Sequence, residues 1–118
     1  LAGALAALLL AATPGLAQAG LEDELPLQEG RAAVVCDIAG ILVHEGLLVI
    51  RCAKPTADGL RFFTVERDHR RYADILESAN WALEKGRPVA ILYATELRHN
   101  PGGCKPENCR AILGVERR

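Results

Sequence analysis

The chain has 118 residues, with 14 Lys or Arg against 15 Asp or Glu. That length suits one domain. A balance this close to neutral gives no electrostatic reason for a nucleic-acid partner. Half of the residues are hydrophobic, and they are unevenly spread.

Leu1 to Ala12 is an uncharged run of Leu and Ala with one Gly, broken by Thr13, Pro14 and Gly15. Ala17-Gln18-Ala19 follows, with the small-x-small pattern of a signal-peptidase site. An apolar core, a breaker and such a site predict an export signal over residues 1–19. The run is shorter than the roughly 20 apolar residues that span a bilayer, so no membrane span is expected once it is removed. Residues 20–30 are acidic and aperiodic (Glu22, Asp23, Glu24, Glu29), which reads as a flexible arm. A single domain over 31–118 is then expected in the periplasm or outside the cell.

Arg31 to Val43 is rich in Val, Ile and Ala, with Val34, Cys36 and Ile38 at alternate positions. It predicts a first strand, and Leu47 to Ala53 a second. His44-Glu45-Gly46 between them reads as a turn in which Gly takes the positive φ. Four cysteines in an exported chain predict two disulfides, for which sequence alone allows three pairings. Cys36 and Cys52 stand eight residues either side of His44, so a hairpin centred there sets them opposite each other. Cys104 and Cys109 close a loop of four residues. The expected pairs are Cys36–Cys52 and Cys104–Cys109.

Lys54 to Gly59 is a turn, and Leu60 to Glu66 a third strand. Asp68 is placed to cap a helix over His69 to Lys85, where the period lengthens. Tyr72, Ile75, Leu76, Ala79, Ala82 and Leu83 then share one face. Gly86 and Pro88 end the helix. Val89 to Leu97 is a fourth strand, Arg98 to Asn108 a Pro/Gly loop, and Cys109 to Glu116 a fifth strand. Mainly β with one helix, in the order β-β-β-α-β-β, is the connectivity of a small five-stranded Greek-key barrel of the oligonucleotide/oligosaccharide-binding (OB) fold. A generic α+β sandwich is the competing arrangement.

Three features together resemble the B subunits of pentameric bacterial toxins of the pertussis and subtilase-cytotoxin type. They are the Cys36 to Cys52 spacing across a strand pair, the helix-to-strand run "RRYADILESANWALEKGRPVAILY", and the C-x4-C pair at Cys104 and Cys109. The resemblance covers roughly Val34 to Val115 by pattern rather than identity. It implies an OB barrel, assembly into a ring around a helix-lined pore, and binding of glycoconjugate sugars. In that family a serine and aromatic residues near the start of the barrel hold sugar. The matching stretch here, "EGRAAVVC", has neither, so no sugar-binding residue carries over.

The individual residues point to binding rather than catalysis. The loop between the last two strands carries Arg98, His99, Asn100, Lys105, Asn108 and Arg110, flanks the usual ligand groove of such a barrel, and is held by a disulfide. It is the candidate binding loop; the competing account is ordinary solvated polarity. Trp81 stands about 180° around the helix from Tyr72, which makes it a candidate for a partner or subunit contact; the competing account is that a loop or the N-terminal arm folds over it. Arg67, His69, Arg70 and Arg71 form a basic cluster, for which a contact with an acidic ligand competes with the preferred reading as a solvated patch. Asp37 is expected to pair with Arg51 across the strands. A zinc set from His99, Cys104 and Cys109 yields to the disulfide in an oxidising compartment. No nucleophile, base or metal motif stands out, and no cofactor is expected. The sequence thus predicts an exported, non-enzymatic module with a glycan or protein partner, which self-association would suit. The alternative is a monomeric periplasmic structural or accessory protein.

Overall fold

The computed structural model describes residues 29–118. The expected export signal, and all of the expected arm except Glu29 and Gly30, lie outside the described residues. The described chain runs β1 (Arg31–Cys36), β2 (Ile38–His44), β3 (Leu47–Cys52), β4 (Phe62–Glu66), α1 (Tyr72–Lys85), β5 (Val89–Ala94), a 3-10 turn (Leu97–His99) and β6 (Cys109–Arg117). The strands form one six-stranded sheet in the order β1-β5-β6-β4-β3-β2. The β4–β6 pair is parallel and the other four are antiparallel.

The fold is therefore mainly β with one helix, but with six strands where five were expected. The difference lies in the first predicted strand, which divides at Asp37. Its first half pairs with β5 and its second half with β3, at opposite ends of the sheet order. One residue separates the two edge strands, so the sheet curls and its edges approach each other at that corner, while no ladder pairs β1 with β2. The backbone carbonyl of Asp37 accepts a hydrogen bond from Ala53 N at 2.7 Å and so helps hold the bend. Just beyond it, the β2–β3 register slips between Ile38 and Gly40, and Arg51 faces Gly40. A Cβ at residue 40 would stand 3.2 Å from Arg51 Nη2, so glycine makes room for that guanidinium. The slip carries Arg51 away from Asp37, and the expected ion pair is not formed.

Both expected disulfides are present, with Cα–Cα separations of 5.5 Å for Cys36–Cys52 and 5.2 Å for Cys104–Cys109. The geometry of the first differs from the hairpin argument. Cys52 stands opposite Ile38, while Cys36 stands opposite Val89. The bond spans the corner, fastening edge strand β1 to β3 near the other edge.

The core lies inside the curl. Leu48, Ile50, Phe63, Val89 and Ile91 are fully buried, and α1 adds Ile75, Ala79 and Ala82. Each large side chain contributes about 1.5–3 kcal/mol by leaving water. Phe63 meets Tyr93 with ring centroids 5.2 Å apart. The helix packs on β6, β2 and β5, so it bridges both ends of the sheet order.

Helix α1 starts at Tyr72 rather than at His69, and Asp68 does not cap it. Arg71 holds the N-cap position with no side-chain cap. The intervening residues form turns whose amides are already engaged. His69 N donates to Glu66 O, Arg71 N to His69 Nδ1, and Tyr72 N to His69 O. The C-terminus follows expectation: Gly86 is left-handed at φ 64°, and Arg87 N donates to Ala82 O at 2.9 Å. Leu83, placed on the buried stripe by its spacing, is instead 44% exposed at the last turn.

Candidate functional site

Strand alternation sets the floor of a cleft. Leu48 and Ile50 point into the core, so Leu47 and Val49 point out. Phe63 and Val65 do the same on β4, which turns Phe62 and Thr64 outward. The register sets Val49 opposite Thr64 and Arg51 opposite Phe62, so these side chains share one outer face. Above it opens a cleft of about 340 Å³. One wall is the β2–β3 turn, with His44 and Glu45. The other is the β5–β6 loop, with Gly102, Gly103, Lys105 and Asn108.

The turn has positive φ at both Glu45 (46°) and Gly46 (77°), which matches the twist of a two-residue hairpin. The loop is braced from within. Asn100 Nδ2 donates to the carbonyls of Cys104 (3.4 Å) and Cys109 (3.1 Å). Arg110 Nη1 donates to Pro106 O and Cys109 O, both at 2.7 Å. The loop also docks on β4, because Arg61 N and Phe62 N both donate to Asn108 O, at 2.9 and 3.0 Å. A Cβ at Gly103 would lie 3.8 Å from Leu47 Cδ1, so the loop closes over the apolar floor. Thr64 is buried beneath it.

The candidate binding loop thus divides by role. Lys105 and Asn108 line the cleft, and Lys105 has no ion pair among the described residues. Asn100 and Arg110 brace the loop. Arg98 pairs with Glu96 at 3.3 Å on the surface. His99 stands 3.7 Å from Glu96 and borders a separate depression that also holds His69. The floor residues Leu47, Val49, Phe62 and Thr64 were absent from the sequence candidates. Leu47 to Ile50 is an unbroken apolar run, so the sequence there does not mark which side chains face outward; adjacency on one strand at Phe62 and Phe63 requires only that one of the two does. Comparison with protein-family models, curated proteins and solved structures found no match.

Trp81 lies at a different place and is partly covered by Arg117 of β6, not by a loop. It is half-buried against the core, and the Arg117 guanidinium stacks 5.1 Å from its ring centroid. Arg117 Nη2 also donates to Glu77 Oε1 at 2.8 Å. The sulfurs of Cys104 and Cys109 are joined, so they are not thiolates for a metal. Among the described residues no group of three His, Cys, Asp or Glu is placed to hold a metal ion. Tyr93, beneath the loop end of the core, has its phenol pKa raised by burial first and by the Asp58 carboxylate second, with Arg110 opposing. No helix among the described residues is long and apolar enough to cross a membrane.

Proposed function

We propose that the protein is an exported, non-enzymatic binding module on an OB-type barrel, similar in kind to toxin B subunits, which takes a glycan or protein partner in the β3–β4 cleft. The observation that carries the reading is the position of the cleft. In an OB barrel the ligand face lies on the second and third strands between two flanking loops. If β1 and β2 are counted as one strand bent at Asp37, those strands are β3 and β4. The flanking loops are then the His44–Gly46 turn and the disulfide-held loop. The helix between β4 and β5 and the parallel β4–β6 pair belong to the same topology.

The cleft has the chemistry of a binding site. An apolar floor offers area, and Lys105, Asn108 and Glu45 offer orientation at its rim. A loop fixed by a disulfide and side-chain braces loses little entropy on binding. Two disulfides suit an oxidising compartment. The alternative, a monomeric envelope accessory protein, draws support from Trp81, since Arg117 of the same chain already covers the residue expected to serve an interface.

The test is a glycan array followed by amide-shift mapping with the glycans retained. The reading expects shifts at Leu47, Val49, Phe62, Lys105 and Asn108, and loss of binding in Phe62→Ala with the fold intact. Shifts confined to other faces, or no retained glycan and no protein partner, would refute it. Light scattering on the oxidised protein separates the readings of assembly: a ring supports the toxin-like form, a monomer the accessory protein.

A further inference from the structure

A second cleft, of about 430 Å³, opens on the outer face of β5 and β6 beside the start of α1. Four basic side chains line it: Arg31 from the start of β1, and His69, Arg70 and Arg71 from the turns before the helix. His69, Arg70 and Arg71 are consecutive, and the fold brings Arg31 to them from 38 residues earlier. None of the three arginines has an ion pair among the described residues. Glu116, the acidic residue of the cleft, has Arg118 Nε at 3.7 Å.

We propose that this cleft is an oxyanion site for a phosphate or sulfate ester. Three arginines line the one cleft, and each guanidinium presents a planar fork of donors that matches such an oxyanion. They sit at the positive end of the α1 dipole, where cations gain nothing and an anion gains. The helix offers no side chain of its own there, because its N-cap has no side-chain hydrogen bond. Local electrostatics that oppose the fold are expected where a ligand restores the balance. The floor leaves room: it includes Ala90 and Gly114, and a Cβ added at Gly114 would meet nothing within 4 Å. Leu92 and Val115 give the carbon skeleton of an ester an apolar wall. The proposal does not depend on what the β3–β4 cleft binds.

The experiment is a calorimetric titration of the oxidised protein at low and at physiological salt. The probes are inorganic pyrophosphate, for a free anion, and a heparin hexasaccharide, for an anion carried on a polymer. Binding of either is expected, and which one binds identifies the source. Arg70→Ala or Arg71→Ala should weaken it about tenfold or more, as loss of a charge-assisted contact does. Arg67→Ala removes the same charge nearby but outside the cleft, and should cost less than about threefold by long-range field alone. Gly114→Glu should weaken binding at least about tenfold more than Gly114→Gln, which fills the same space without charge. Because Glu22, Asp23 and Glu24 stand shortly before Arg31 in the chain, the titration is repeated on their amide variant. Binding in either form supports the site. No binding in both forms, equal losses from Arg67→Ala and Arg70→Ala, or no difference between Glu and Gln at 114 overturns it.

Discussion

Removing the two disulfides one at a time should produce unequal losses. The bonds close loops with sequence separations of 16 for Cys36–Cys52 and 5 for Cys104–Cys109. Chain entropy alone gives about 3 kcal/mol for the first and about 2 kcal/mol for the second. The first loss is a large share of the about 5–15 kcal/mol that a small domain has in total. It corresponds to a fall in Tm of roughly 12–24 °C. The structure adds a local consequence. β1 is an edge strand whose ladder is with β5 alone, and the disulfide fastens its end to β3. In the Cys36→Ala/Cys52→Ala variant the β1 amides should exchange with solvent faster than those of β4, which lies between β3 and β6. In the Cys104→Ala/Cys109→Ala variant, faster exchange should stay within the β5–β6 loop. Urea unfolding followed by Trp81 fluorescence, together with amide exchange, measures both effects. Equal stability losses, or β1 exchange unchanged when its bond is absent, would refute the idea that this disulfide fastens the two ends of the curled sheet.

The remaining predictions concern single side chains. With the Tyr93 phenol pKa raised by burial, the folded protein keeps its proton where the unfolded chain has lost it. Stability should therefore fall as pH rises above about 10, and the fall should be smaller in Tyr93→Phe; equal slopes in unfolding titrations would count against burial as the cause. Arg117→Ala removes the cation over Trp81 and should cost no more than about 1 kcal/mol, because the pair is partly solvated, while shifting Trp81 emission to longer wavelength. An unchanged emission would show that the stacking does not persist in solution. Gly86→Ala forces a side chain into the left-handed cap and should lower stability by about 1 kcal/mol in urea unfolding; no loss would mean that the helix ends differently. Phe63→Ala should cost about 3–5 kcal/mol as a core cavity, and Phe62→Ala clearly less, because Phe62 faces the cleft; equal costs would contradict the assigned alternation.

Local patterning determined much of this protein. The strand-like runs at 47–53 and 60–66, the helical period that ends at Lys85, the glycine that ends the helix and both cysteine pairings are readable from the chain. Each depends on side-chain period or backbone preference over a few residues. Lys105 and Asn108, two of the polar residues of the last loop, line the β3–β4 cleft. What tertiary structure alone decided involves residues far apart. Arg31 to Val43 has one continuous β pattern, and the break at Asp37 arises because its halves pair with different partners. The Cys36–Cys52 bond was right as a pairing, but its role as a clasp across the curled sheet depends on that bend. Within the loop, polarity did not distinguish side chains that line the cleft from those that brace it, because Asn100 and Arg110 spend their donors on backbone carbonyls that only the folded loop presents. Arg31 and the Arg70–Arg71 pair likewise meet only once β1 lies beside β5 at the start of the helix. Periodicity reports which face of an element is buried; strand order and the path of loops decide which faces meet.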